Sequence, residues 1–100
     1  MRNVDRERDV EGYLVHRLET AGYPCIKFQP DHLPGMPDRM VLLPDGGVLW
    51  VELKTAGGRL SDLQLYRHRK LADIGHEVRV IWDKGEVDAL IAELEKGRHL

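Results

Sequence analysis

Val48-Leu49-Trp50-Val51-Glu52-Leu53-Lys54 is an apolar run that ends by setting an acid and a base two residues apart. Read as a β-strand, its side chains alternate, so Trp50, Glu52 and Lys54 share one face while Leu49, Val51 and Leu53 share the other. A carboxylate and an ammonium then stand side by side at a strand end. That pairing suits a metal site acting on phosphate, and the flanking segments decide whether the missing parts are supplied.

Outward toward the N-terminus, Pro44-Asp45-Gly46-Gly47 is a tight-turn signal between two apolar runs. It predicts an antiparallel hairpin of residues 38–43 and 48–54. Counted out from the turn, Leu43 faces about Val48 and Asp38 faces about Leu53, so Asp38 and Glu52 are neighbours to within a residue of register. Two carboxylates converging beside a lysine are costly unless a cation joins them, and a divalent metal is the simplest candidate. Taken alone, Asp38 reads equally well as a turn or cap residue. It follows a loop at 29–37 rich in Pro and Gly, ahead of which Ile26 and Phe28 share one face of a short first strand at 25–28.

The N-terminal segment, 4–21, reads as a helix. Asn3 is a suitable N-cap, Asp5 lies in the first turn, and Val10, Leu14, Leu18 and Ala21 recur at helical spacing before Gly22. Glu11 sits beside this apolar stripe, which points it along the core edge or into a cleft. Its alternative is an exposed helix glutamate paired with Arg8 or Arg17.

Beyond the quoted strand, Ala56-Gly57-Gly58-Arg59 is a break, and Ser61-Asp62-Leu63-Gln64 has the S-x-x-Q form of a capping box. With Leu60 and Leu65 placed as a hydrophobic staple, a helix is expected over 62–74, closing at Gly75. Gln64 therefore has two readings, a return to the N-cap backbone or a place in the site, and one amide can serve both. His68 shares a face with Gln64 and Leu71 and reads as a helix-face residue. Residues 76–82 alternate as a further strand, which makes 48–82 a strand, helix, strand crossover with parallel strands. Val87, Leu90, Ile91 and Leu94 mark a closing helix over about 86–96, and the tail at 96–100 is expected to fray.

A chain of 100 residues is the size of one compact domain, here 1–100 with its motif-bearing core at about 5–82. No apolar run approaches the roughly 18 residues that span a bilayer, and 2–11 is too charged for a signal peptide. The expectation is a soluble cytoplasmic protein with no membrane partner. The lone Cys25 has no partner for a disulfide or a zinc site and reads as a small buried apolar side chain. The formal net charge of -2 argues weakly against a nucleic-acid binder. Its distribution argues the other way: Lys54, Arg59, Arg67, Arg69 and Lys70 stand against Asp62 alone, while acids gather at 5–11 and 83–95. The same cations read equally as a solvated helix face.

An E-x-K triplet alone arises by chance on the order of 0.4 times per hundred residues, so the order of the pieces carries the weight. A helix with Glu11, Gly35-Met36-Pro37-Asp38 at a strand start, Val51-Glu52-Leu53-Lys54 at a strand end, and Ser61 through Gln64 opening a helix together resemble the PD-(D/E)xK nuclease superfamily. Within it the chain looks most like the stand-alone VRR-Nuc domain. The resemblance implies an α/β fold of restriction-endonuclease type, with a central mixed β-sheet of about four strands flanked by helices in the order α-β-β-β-α-β-α. It also implies hydrolysis of DNA phosphodiesters with Mg2+ or Mn2+. Asp38, Glu52 and the backbone carbonyl of Leu53 would hold the metal, with Glu11 joining directly or through water. Lys54 would orient or help deprotonate the attacking water, and Gln64 would hydrogen-bond the water, the phosphate or Lys54.

For the DNA partner, duplex or branched, Lys27, Arg59, Arg67, Arg69 and Lys70 are candidate phosphate contacts and Tyr66 a candidate stacking residue. No base-reading module is evident, which favours selection by DNA shape. Stand-alone relatives resemble junction-processing nucleases, and one active centre per chain implies a homodimer for paired cuts. The alternatives are a restriction-like or nicking nuclease without junction preference and a non-catalytic DNA-binding module.

Overall fold

The computed structural model describes residues 6–55 and 57–98. Seven elements follow in the order α1 (Glu7–Thr20), β1 (Cys25–Lys27), β2 (Arg39–Leu42), β3 (Val48–Leu53), α2 (Asp62–Asp73), β4 (Glu77–Ile81) and α3 (Lys84–Arg98). The strands form one mixed sheet in spatial order β1-β2-β3-β4. β1 and β2 are antiparallel, as are β2 and β3, whereas β3 and β4 are parallel and joined by α2. This is the expected fold class and element order.

β3 is buried from Leu49 through Leu53 because both faces of the sheet are covered at its centre. On one face Leu49, Val51 and Leu53 join Val41 and Ile81, and α1 and α3 close over them with Val10, Leu14, Leu18, Val87, Leu90 and Ile91. These helical residues recur at three- and four-residue intervals, the spacing that puts them on one stripe. Thirteen buried side chains make up this cluster among the described residues, and at roughly 1.5–3 kcal/mol each they are the main source of stability. Trp50 and Glu52 point to the opposite face. There Phe28 and His76 pack edge-on to the Trp50 ring, and α2 lies across β4.

Most boundaries fall within a residue of the sequence expectation, and the ends of α1 and α3 differ most. Among the described residues α1 begins after Arg6, an extended N-cap that makes no side-chain cap bond; Asn3, Val4 and Asp5 lie outside the described residues. α3 starts earlier than expected because the Asp83 carboxylate accepts the Glu86 N–H at 2.8 Å, a side-chain cap at its first turn. It also runs through Lys96 and Gly97 to Arg98, where fraying was expected; His99 and Leu100 lie outside the described residues.

The hairpin register differs by one residue. Leu42 pairs with Val48 and Arg39 with Val51, because the loop closes on Gly47: the Leu43 N–H donates to the Gly47 carbonyl at 2.9 Å. Gly46, at φ 91°, supplies the left-handed residue of a three-residue hairpin loop. Carried one step past the ladder, this register puts Asp38 opposite Glu52 rather than Leu53. No helix among the described residues is long and apolar enough to cross a membrane.

Candidate active site

The site lies where β2 begins and β3 ends. Asp38 precedes β2, its carbonyl accepting the Phe28 N–H at 2.8 Å. Its carboxylate Oδ2 accepts the Leu53 N–H at 2.9 Å, so the side chain bridges to β3 where main-chain pairing stops. The N–H and C=O of one strand residue point to the same side, which turns the Leu53 carbonyl toward the same edge as Asp38. Lys54 extends the parallel ladder, its N–H donating to the Ile81 carbonyl at 3.0 Å.

Among the described residues Glu52 is the one polar or charged side chain in the buried set, with 1% of its surface exposed. Both of its oxygens meet α2. Gln64 Nε2 donates to Oε2 at 3.4 Å and His68 Nε2 lies 3.3 Å from Oε1. Gln64 is itself fixed, since its Oε1 accepts the Ser61 N–H at 2.9 Å while its own N–H donates to Ser61 Oγ at 3.1 Å. The capping box is complete, and the same amide that closes it reaches the site.

Burial pushes the Glu52 carboxyl up to about 8, and a hydrogen bond with Asp38 together with the Asp38 charge pushes in the same direction. Lys54 opposes the shift and Glu7 adds to it. A buried carboxylate beside a second one resists ionisation unless a cation compensates. Burial also lowers the His68 imidazole below its usual value, with Lys54 acting the same way and Asp38 against it. Lys54 thus acts through its charge on both Glu52 and His68, and the shift at His68 favours the neutral imidazole.

Glu11 is placed elsewhere. Its Oε2 accepts from Arg39 NH2 at 2.8 Å, and Arg39 lies in register with Val51 on the α1 face of the sheet. Neither helix partner considered from sequence takes it up; Arg17 bonds the Tyr13 hydroxyl and Asp88 instead. Among the described residues no three side chains of His, Cys, Asp or Glu gather as a metal cluster. The α1 acid whose field reaches Glu52 is Glu7, one turn earlier. Its sequence signal was the i, i+4 spacing from Glu11, which puts both on one helix face. His68 carried a similar signal, four residues after Gln64.

The basic and aromatic candidates are spread out. Lys27 is in register with Arg39 on the α1 face, opposite to Glu52. Arg67 reaches the loop, its Nε donating to the Pro34 carbonyl at 3.1 Å. Tyr66, two residues from both Gln64 and His68, falls on the far side of α2 and is exposed. The Arg67 guanidinium and the Lys70 ammonium lie 5.6 and 5.5 Å from its ring centroid. Arg59, Arg69 and Lys70 are exposed. A cavity of about 410 Å3 between Tyr23, Leu43, Pro44 and Leu94 lies at the hairpin-turn end and contains none of these residues.

A mixed four-stranded sheet with an acid pair and a lysine at its central strand end defines the restriction-endonuclease-like class. No family model matches the chain. A curated protein named "Putative nuclease p44", of Acyrthosiphon pisum secondary endosymbiont phage 1, is 33% identical over 86 residues, spanning 86% of this chain and 91% of that protein. A solved structure described as a VRR_NUC domain superposes with a TM-score of 0.79 at 31% identity, covering 86% of this chain and 94% of its own. The chain belongs to the VRR-Nuc domain nucleases.

Proposed function

We propose that this VRR-Nuc domain is a divalent-metal-dependent DNA endonuclease, selective for DNA structure and acting as a homodimer on branched or Holliday-junction substrates. The reading is carried by the buried Glu52, which shares its site with Asp38, Lys54, Gln64 and His68. The donor set fits Mg2+ or Mn2+: two carboxylates and one backbone oxygen are hard ligands, and Mg2+ ordinarily takes one or two carboxylates, retained waters and substrate phosphate. Asp38, Glu52 and the Leu53 carbonyl would hold the ion, with Glu7 the α1 acid whose charge reaches Glu52; Glu11, expected from sequence to join directly or through water, would have to leave Arg39 to do so. A bound ion supplies charge against the phosphate and makes a coordinated water more acidic.

The remaining work belongs to the chain itself. Lys54 orients the attacking water and offsets charge building on the phosphate oxygens. Gln64 and His68 hold the Glu52 carboxylate in one orientation, and burial of Glu52 keeps bulk water from screening these charges. One chain carries one such set, so paired incisions need two copies.

The deciding experiment is DNA cleavage in Mg2+, in Mn2+ and in EDTA, with Lys54→Ala and Glu52→Gln beside the native protein. Metal-dependent cutting lost in both variants is expected; undiminished cutting in either would remove its assigned role. Cruciform, flap and linear duplex substrates compared side by side test structure selection, and equal rates on all three would sink it. Light scattering tests the dimer.

A further inference from the structure

Arg17, Arg39 and Arg79 each bond a carboxylate, so their charges are neutralised within the fold. Arg67 and Lys70 of α2 are not neutralised in this way. The Arg67 Nε donates to an uncharged acceptor, the Pro34 carbonyl, and among the described residues no carboxylate forms an ion pair with either side chain. Both converge instead on the exposed Tyr66 ring, at 5.6 and 5.5 Å from its centroid. Two like charges gathered on one ring repel each other, and its electron-rich face offsets only part of that repulsion. An anion completes such a group.

Their position decides which anion. Leu63, Arg67 and Lys70 recur at i, i+4 and i+7, on the flank of α2 that is held against the loop between β1 and β2. On that flank Gly35, at φ +88°, comes so near Leu63 that a Cβ there would sit 2.7 Å from Leu63 Cγ, an approach and a conformation suited to glycine. The loop ends at Asp38, so the cations and the proposed cleavage site border the same seam. At 1.5 Å per residue Arg67 and Lys70 lie about 4.5 and 9 Å along the helix from Gln64, against about 3.4 Å per phosphate along a duplex strand. An arm that leaves the cut along α2 meets both cations within its next few phosphates.

We propose that Arg67 and Lys70, ordered by Tyr66, bind the phosphates of a paired DNA arm beside the cut, with the ring serving as their platform and not as a surface for a base. This rests on the nuclease reading and adds to it the path of the substrate. Phosphate contacts carry no sequence information directly, and they leave every base of the arm paired.

The test is the salt dependence of binding to a fluorescein-labelled four-way junction in EDTA, where neither cutting nor competition from Mg2+ intrudes. Lys70→Gln should reduce the slope of log affinity against log salt by about 0.9 per bound copy. Arg69→Gln removes the same charge about 200° round the helix from Arg67 and should leave the slope unchanged. Tyr66→Phe should bind as the native protein does. Tyr66→Leu should weaken binding by about two- to fivefold, and its loss should be less than additive with that of Lys70→Gln. All three positions are exposed, and thermal melting checks that each variant folds. An unchanged slope in Lys70→Gln, an equal reduction in Arg69→Gln, or no binding by the native protein at low salt overturns the phosphate site. Additive losses, or no effect of Tyr66→Leu, overturn the platform, the former making Tyr66 a stacking surface. If this binding pattern appears but no DNA is cut in either metal, the nuclease reading falls and the phosphate site stands.

Discussion

Glu7 and Glu11 sit on one face of α1, and their surroundings separate their roles. Glu11 is tied to the largely buried Arg39, so Glu11→Gln weakens the partner of a charge that stays in place. It should lower stability by about 1–3 kcal/mol, read as a fall in the thermal midpoint. Glu7 is exposed and acts on Glu52 through its charge; Glu7→Gln should leave the midpoint within a degree or two and reduce metal-dependent cleavage. A loss of cleavage from Glu11→Gln with unchanged stability would reverse this division. His68 holds Glu52 without being placed on the phosphate. Outer residues that orient a metal-binding carboxylate are commonly worth 10- to 100-fold in affinity or rate, so His68→Ala should raise the metal concentration needed for half-maximal cutting by about that factor. His68→Gln, which keeps a donor, should recover part of it.

At the scale of elements, much was legible. The quoted strand, the hairpin and the helix opened by Ser61 all form where their patterns placed them, because alternation, turn residues and a capping box are local signals. Register was not, since it depends on whether Gly46 or Gly47 takes the left-handed conformation, and both are glycine. Nor was the partner of Glu11, because Arg39 is 28 residues away and only the sheet brings it under α1. The start of α1 at Glu7 had no local signal, since its N-cap Arg6 makes no side-chain cap bond. Ser61→Ala tests the reading of α2: loss of an N-cap costs about 1 kcal/mol, measurable by chemical denaturation. Gly35→Ala should cost more, about 1–2 kcal/mol from its backbone conformation alone with the contact to Leu63 added, and should widen the loop.

Across the whole molecule, ion pairs tie α3 to the elements beneath it. Tyr13 and Arg17 of α1 bond Asp88, and Arg79 of β4 makes a two-point bond to Glu93 at 2.9 and 2.6 Å. A hydrogen bond from Tyr13 and the Arg17 charge hold Asp88 below its usual range, and Arg79 does the same for Glu93. Because the folded carboxylates bind protons less readily, their contribution is present above the unfolded values and is lost as pH falls through the lower folded ones. The thermal midpoint should therefore fall on acidification below about pH 4.5. The part of that fall due to Glu93 should be smaller in Arg79→Gln and weaker in high salt, since these pairs are exposed. Gln64 connects the scales. One amide both completes the start of α2 and restrains Glu52, so occupancy of the site and order in the first turn of α2 are thermodynamically linked, each favouring the other by the same free energy. Amide hydrogen exchange at Asp62 to Leu65 should slow when Mg2+ is added, and Ser61→Ala should weaken Mg2+ binding by the same factor by which Mg2+ strengthens the cap.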